Sequence, residues 1–350
     1  MHPEKTKEMI RFAYQEGIAT GTELISGLPG ETYQSFRDGF MKAIDLGFDS
    51  IYMGNLYLIK GSELYSRQSR KNFGLKTVYS LIGKDVTEVG DRYTFEADEI
   101  VTESNTMTRT DFWGLQKFMF FGHLCFNSGF LKEVIKFCSH YDISLPEVYD
   151  EIMKHQKQYP FINATVSNYL GQIKNMFFKN RDELVAAIKL NIKYSDNLDQ
   201  LNPRRQLFLF MGRALGGINK INLIEEYIKA CRAIYNTKNV DAKDDYFDSI
   251  TTFLAKLTRD IIISPVEKIE GHVIVEAPYD VIAWEKDYYI RPLPVYKLTK
   301  PITLDLQVRN IGEHNDFFKK TAEWPDIEKY EYYFSMMVSS NQRRYITYAQ

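Results

Sequence analysis

The order of apolar patterns at the start of the chain restricts its fold more than any other feature. Apolar residues recur at helical spacing up to Gly17, and a strand-like run follows from 18 to 25. A second helical stripe ends at Gly47, before another strand-like run from 51 to 59. This order predicts helix, strand, helix and strand, with a glycine ending each helix. Because a strand–helix–strand crossover joins parallel strands, we expect the two strands to be parallel.

Two parallel strands do not form a stable layer by themselves. Parallel strands are normally buried on both faces and belong to larger sheets. The rest of the chain does not continue the alternation of strands and helices. The pattern therefore predicts that the first two strands are the last part of a larger sheet.

The remaining sequence predicts a helical region followed by a β-containing tail. Helical stripes dominate from 110 to 260, where Thr110 and Asp111 are the predicted cap of the first helix. Short β-like runs then occur at 272–277, 280–284, 302–308 and 332–340. The polar stretch 74–90 and the stretch 262–270 are the predicted boundaries. We expect an α/β fold with domains 1–74, 75–265 and 266–350.

Charge and cysteine content exclude several classes of protein. The net charge is −2, which gives no global attraction to nucleic acid or to an anionic membrane. The longest apolar runs, such as 118–126, fall short of the roughly 18 residues that a membrane span needs. Three cysteines, Cys125, Cys138 and Cys231, lie too far apart in sequence for a metal clip. We expect a cytoplasmic protein that binds neither nucleic acid nor membrane.

The turn Gly-Leu-Pro-Gly follows the first predicted strand. Gly27 removes a side chain where the strand ends, which would let a ligand approach the backbone. Pro29 and Gly30 suit a tight turn, and Thr32 is the predicted cap of the next helix. No Lys-Ser or Lys-Thr follows, so this turn is not a P-loop. The residues by themselves leave open whether the turn binds a ligand or only reverses the chain.

Two motifs give a specific resemblance. The stretch ELISGLPGETYQSF (23–36) resembles the fifth strand and following turn of radical S-adenosylmethionine (SAM) enzymes. NLYLIKGSELY (55–65) resembles their sixth-strand segment, which typically contains Pro-Gly-Thr where this chain has Lys60, Gly61 and Ser62. TESNTMTRTDF (102–112) is similar to a stretch beyond the barrel in radical SAM proteins that carry a cobalamin-binding domain. The resemblance covers residues 4–70 and extends to about 130.

The resemblance implies a fold, cofactors and site residues. The family folds as a partial, TIM-like (β/α)6 barrel, holds a [4Fe-4S] cluster through three cysteines and binds SAM to it. Ser26 and Gly27 match the strand end that holds the nucleoside, while Asn55, Tyr57 and Leu58 match the region near adenine. The alternatives are a satisfied strand-end hydroxyl for Ser26 and a core aromatic for Tyr57. Cobalamin is possible in a full-length parent.

The sequence also departs from the family. It contains neither the C-x3-C-x2-C cluster motif nor the Asp-x-His-x-x-Gly cobalamin motif. We therefore expect the carboxyl-terminal fragment of a radical SAM oxidoreductase or methyltransferase, inactive alone and with no metal ligands of its own. A separately encoded amino-terminal half or radical SAM partner would complete it, and its substrate would be a small or carrier-bound molecule. The alternative is a non-catalytic, partner-binding module derived from the same fold.

Two further groups of residues each allow two interpretations. His123 and His140 lie close in sequence to Cys125 and Cys138, and helical periodicity favours core packing there over a Cys/His metal site. The basic stretches 202–206 and 341–344 suit either a phosphate-bearing substrate or solvated positions at a helix end.

Overall fold

A computed structural model describes most of the chain. The described residues are 3–16, 18–90, 92–129, 131–194, 198–215, 217–238, 245–261, 273–307 and 345–348. The chain begins with helix α1 (Pro3–Gln15), strand β1 (Gly21–Ser26), helix α2 (Tyr33–Leu46) and strand β2 (Ser50–Asn55). Strands β1 and β2 pair in parallel from Gly21 opposite Ser50 to Ser26 opposite Asn55. The predicted parallel crossover is confirmed.

Local sequence signals fix both ends of α2. Thr32 caps its first turn, because the Thr32 hydroxyl accepts a hydrogen bond from the Ser35 amide and the Ser35 hydroxyl accepts one from the Thr32 amide. Gly47 ends the helix in a left-handed conformation with φ of 97°. Phe36 and Phe40 on this helix are buried in the core. The predicted roles of Thr32 and Gly47 are confirmed.

The polar stretch 74–90 forms mostly regular structure, and the domain boundary predicted there stays a prediction. After the short helix α3 (Arg67–Phe73), strand β3 (Lys76–Val89) and strand β4 (Arg92–Glu103) form an antiparallel hairpin. A two-stranded ribbon can expose polar side chains along its length, so a polar stretch of this kind also fits a hairpin. The hairpin joins the end of β2, where Leu58 donates its amide to the Glu99 carbonyl and Val101 donates to Leu56.

The predicted helical region is confirmed between residues 109 and 261. The Thr108 side chain, rather than Thr110 or Asp111, is the N-cap of the first helix, and Asp111 completes the capping box from the third helical position. A π-helical segment, His123–Asn127, follows this helix directly. The helices are α4 (Arg109–Gly122), α5 (Lys132–Ser139), α6 (Leu145–Lys154), α7 (Pro160–Lys174), α8 (Arg181–Tyr194), α9 (Pro203–Leu215), α10 (Gly217–Lys238) and α11 (Asp245–Ile261).

The tail contains strand β5 (Val273–Tyr279), helix α12 (Val281–Lys286), strand β6 (Lys297–Gln307) and strand β7 (Tyr345–Tyr348). The strands form an antiparallel sheet in the order β5-β6-β7. The predicted strand at 280–284 is wrong, because Asp280 accepts a hydrogen bond from the Ala283 amide and starts α12. The predicted strand at 332–340 lies outside the described residues.

The tail packs against the first crossover. The Tyr14 hydroxyl on α1 donates to the carbonyl of Glu285, and the Tyr288 hydroxyl donates to the carbonyl of Gly47. One buried cluster includes Phe40 of α2, Phe121 of α4 and Trp284 of α12. All three predicted domains therefore contribute to one core, and the division into domains stays a prediction.

The architecture is α/β and mainly helical. Among the described residues the strands form sheets of two, two and three strands. The barrel expected from the resemblance is not seen in this part of the chain, and it stays a proposal. Within the same residues, no helix has the length and apolar character to cross a membrane. The cytoplasmic location stays a prediction.

Candidate functional site

A cavity of about 350 Å³, which we call the strand-end cavity, lies at the carboxyl end of β2. Its walls come from β2, the hairpin β3–β4 and the helices α4, α7 and α9, and its size lies in the range of small-molecule sites. The carboxyl end of a parallel strand is where α/β proteins bind ligands. Its lining residues are Tyr52, Met53, Gly54, Asn55, Tyr57, Ser80, Leu81, Ile82, Asp98, Ile100, Gln116, Met119, Phe120, His123, Tyr169, Phe177, Asn202, Pro203, Arg204, Arg205 and Leu207.

Ser26 and Asn55 come together at the adjacent ends of β1 and β2. The Ser26 hydroxyl donates to Asn55 Oδ1 over 3.2 Å, and Gln116 Nε2 on α4 donates to the same oxygen over 2.7 Å. Ser26 is 1% exposed, so its hydroxyl needs this partner. Two donors fix the orientation of the Asn55 amide at the cavity wall. Ser26 thus positions Asn55, as a satisfied strand-end hydroxyl would.

Gly27 has a structural reason to be glycine. Its φ is 92°, and a Cβ atom there would lie 3.2 Å from Met107 Cε. Its amide donates to Glu31 Oε2 over 2.9 Å, and burial raises the pKa of that carboxyl although this hydrogen bond opposes the change. The space beside Gly27 is filled by Met107, so the packing explains the glycine. Its predicted role beside a ligand stays a prediction.

Tyr57 and Leu58 lie in different environments. Tyr57 lines the strand-end cavity and is 39% exposed, whereas Leu58 is buried in a small cluster with Leu56 and Val101. Successive residues of an extended chain point to opposite faces, which explains the difference. Of the five predicted site residues, Asn55 and Tyr57 line the cavity, and Ser26, Gly27 and Leu58 do not.

Asp98 on β4 is a cavity residue that sequence reasoning missed. Burial and the nearby Glu96 raise the pKa of its carboxyl to about 6, against the opposing charge of Arg204. Burial and the Asp98 charge also raise the pKa of Tyr57. No local motif marks Asp98, because the helix α9 that lines the cavity with it begins about a hundred residues later in the chain.

The basic stretch 202–206 lies at the cavity. Arg204 and Arg205 are in the first turn of α9, and both line the cavity wall. Asn202 Oδ1 accepts hydrogen bonds from the backbone amides of both arginines, at 3.0 and 3.3 Å, and so caps the helix. The other basic stretch, 341–344, lies outside the described residues. The stretch 202–206 therefore lies both at the start of a helix and beside the candidate site.

His123, Cys125 and Cys138 near α4 and α5 are buried in the core, whereas His140 is half-buried. His123 Nε2 lies 3.2 Å from the Met53 carbonyl oxygen, and burial lowers the pKa of His123 to about 4. His140 Nε2 lies 3.0 Å from the carbonyl oxygen of Tyr289, and burial raises the pKa of the Cys125 thiol. Throughout the described part of the chain, no three His, Cys, Asp or Glu side chains are placed to hold a metal ion. These contacts support core packing.

A larger cavity of about 920 Å³ lies between α10, α11 and the sheet of β5 and β6. It shares no lining residue with the strand-end cavity. None of the residues that match the family motifs lines it. We therefore take the smaller, strand-end cavity as the candidate functional site.

Comparison with known proteins gives one partial likeness. No family model matches the chain. A stretch of 101 residues is 35% identical to the cobalamin-dependent radical SAM methyltransferase TokK of Streptomyces tokunonensis. The match covers 28% of this chain and 14% of that protein. The likeness supports a distant radical SAM relation over part of the chain.

Proposed function

We propose that this chain is the carboxyl-terminal part of a radical SAM enzyme, an oxidoreductase or methyltransferase. In this proposal β1 and β2 are the last two strands of a partial barrel, and the helices α4 to α11 cover its substrate side. The likeness to TokK and the cavity at the end of β2 support it.

The two edges of the β1–β2 sheet carry the proposal. The outer edge of β2 is closed by side chains of the π-helical segment, because Asn127 bonds the backbone of Ile51 and His123 bonds that of Met53. Among the described strands, β1 pairs with β2 alone, so its outer edge has no strand partner. An exposed strand edge invites pairing with another segment. Further strands would add at β1 and not at β2.

Exposed apolar side chains on α1 and on or next to β1 agree with the proposal. Met9 and Phe12 on α1 are 72% and 62% exposed, and Ile18 and Ile25 next to or within β1 are 57% and 42% exposed. In the proposal, these side chains belong to one surface that a partner covers. In the proposal, the cluster-binding half covers this surface and extends the sheet from β1, either as a separately encoded chain or as a radical SAM partner.

The proposed cofactors are SAM and a [4Fe-4S] cluster, with cobalamin possible in the complete enzyme. Asn55 and Tyr57 fit part of a nucleoside site, since both bring polar atoms to the cavity and Ser26 fixes Asn55. No described residues form a cluster-binding group, so the iron ligands would come from the other half. When bound together, SAM and the cluster supply the radical chemistry of the family.

Copurification and SAM binding test the proposal. We expect flanking DNA to encode a C-x3-C-x2-C segment, whose product copurifies with this chain and binds a cluster after anaerobic reconstitution. Calorimetry of that complex should show SAM binding that Asn55→Ala weakens and that Asn175→Ala, on the exposed surface, leaves unchanged. A stable cluster with SAM-dependent spectral changes on this chain alone would contradict the proposal. Copurification without SAM binding would favour the alternative, a non-catalytic partner-binding module.

A further inference from the structure

We infer that the strand-end cavity binds a molecule with an aromatic or other flat apolar body and one anionic group, a carboxylate or a phosphate. The inference rests on the proposed function, in which the helices α4, α7 and α9 put this cavity on the substrate side and Asn55 and Tyr57 border the nucleoside.

The aromatic side chains of the cavity walls indicate the apolar body of the ligand. Phe120 and Tyr169 stack with ring centroids 4.2 Å apart and are 1% and 6% exposed, so they form a buried apolar part of the cavity wall. Tyr52 and Tyr57 add two rings that are each 39% exposed, which is high for aromatic side chains. Rings of this kind contribute large contact area with little loss of entropy. The body of the ligand is therefore expected to be apolar and flat.

The charged side chains of the cavity lining indicate the anionic group of the ligand. The charged side chains that line the cavity are Asp98, Arg204 and Arg205. The lining therefore has a positive net charge even when Asp98 is ionised, and α9 adds the positive end of its dipole. Arg204 is exposed, so its guanidinium is open to an entering ligand. Guanidinium groups bind carboxylate and phosphate through paired hydrogen bonds.

Asp98 adds a dependence on pH to this site. The charged and titratable groups that face it are Glu96 on its own strand, Arg204 on α9 and Tyr57 after β2. An anion bound at Arg204 removes part of the opposing positive charge and so favours protonated Asp98. Binding of the anion should therefore take up a proton at Asp98 and become tighter as the pH falls.

Four probes with the same aromatic body test the inference on the full chain, without cluster or SAM. The probes are phenylbutyrate, phenylpropyl phosphate, phenylbutanol and phenylbutylamine, titrated by calorimetry. We expect at least one anion to bind about tenfold or more tightly than the alcohol and the amine. Whether the carboxylate or the phosphate binds more tightly identifies the anionic group. Equal binding of all four probes, or no saturable binding of either anion, would overturn the inference.

Variants connect the binding to this cavity. Arg204→Gln should weaken the preferred anion about tenfold, whereas Arg213→Gln, at the other end of the same helix and outside the lining, should not change it. Affinity for phenylbutyrate should increase about threefold or more as the pH falls from about 7.5 to about 5.5, and Asp98→Asn should remove this increase. If both Arg204→Gln and Arg213→Gln fold and bind like the wild type, the inference is wrong. Because no SAM is present, the result is independent of the test of the proposed function.

Discussion

The side chain of Asn127 pairs with the backbone of Ile51 as a neighbouring strand would. Asn127 Oδ1 accepts from the Ile51 amide over 2.9 Å, and Asn127 Nδ2 donates to the Ile51 carbonyl over 2.8 Å. His123 Nδ1 lies 2.7 Å from the same Nδ2, which ties the two side chains together. A helical segment thus satisfies backbone groups of β2 that a further strand would otherwise have to satisfy.

Asn127→Ala should destabilise the protein strongly. The substitution leaves a buried amide and a buried carbonyl of Ile51 without partners, which is expected to cost about 2 to 4 kcal/mol. The free energy of unfolding from urea titration measures the effect. Asn175→Ala is the matched control, since exposed Asn175 makes one side-chain bond to the Gly171 carbonyl and should cost less than about 0.5 kcal/mol. A similar small loss for both variants would show that Asn127 does not hold the edge.

His123 should make stability depend on pH between about 6.5 and 4. Burial lowers the pKa of His123 to about 4, so it stays neutral in the folded chain over this range. The unfolded chain binds a proton there and the folded chain does not, so stability falls as the pH falls, by roughly 3 kcal/mol at most.

His123→Gln should remove most of this loss of stability at low pH, once the effect of the substitution on stability at neutral pH is subtracted. The free energy of unfolding from urea titrations at several pH values measures this effect. His155→Gln is the control, because His155 lies at the surface, with 39% of its side chain exposed. The assignment to His123 fails if the pH profile of His123→Gln parallels that of the wild type.

Asp98 should make stability depend on pH in the opposite direction to His123, over nearly the same pH range. Its pKa is raised to about 6 in the folded chain, mainly by burial, so folding favours the protonated carboxyl. The stability that protonated Asp98 contributes is complete below the ordinary pKa and is lost as the pH rises through about 6.

Asp98→Asn should therefore stabilise the chain at about pH 7.5 by roughly 1 to 2 kcal/mol, and the difference should vanish below about pH 4. Paired urea titrations of the variant and the wild type give the difference directly. Glu8→Gln on the exposed surface of α1 is the control for the loss of a surface carboxylate. A constant difference at all pH values would show that the carboxyl does not titrate as argued.

Sequence reasoning succeeded where the deciding contacts are local. Thr32 and Gly47 could be predicted as the ends of α2 because a cap depends on residues three or four positions away. The parallel pairing of β1 and β2 followed from the length and pattern of a single crossover. Asn55 and Tyr57, which match the family motif, line the cavity, and their role in binding SAM stays a prediction.

Sequence reasoning failed where segments far apart in the chain decide the environment of a residue. The burial that raises the pKa of Asp98 is set within a cavity that includes α7 and α9, and no pattern around Asp98 reports them. Asn127 reads as an ordinary polar residue in an apolar stretch, although it bonds a backbone 76 positions earlier. The polar composition of 74–90 does not by itself predict the hairpin β3–β4, because exposed ribbons and loops have similar composition.

Gly47→Ala should separate steric contact from backbone strain. Gly47 has φ of 97°, and a Cβ atom there would lie 2.6 Å from Tyr288 Cε1 and 2.8 Å from its hydroxyl oxygen. Gly30 has a similar φ of 89° but no heavy atom within 4 Å of that position. Both variants incur the strain of a left-handed residue, about 1 kcal/mol, and only Gly47→Ala also displaces the Tyr288 ring.

We expect Gly47→Ala to cost about 2 to 4 kcal/mol and Gly30→Ala about 1 kcal/mol, measured by urea titration. Because the Tyr288 hydroxyl donates to the Gly47 carbonyl, the displaced ring also loses its hydrogen bond to the first crossover. In the double variant with Tyr288→Ala, the added cost of Gly47→Ala should fall to the Gly30→Ala value. If Gly47→Ala costs no more than Gly30→Ala in the wild-type background, the tail does not pack against α2 as described.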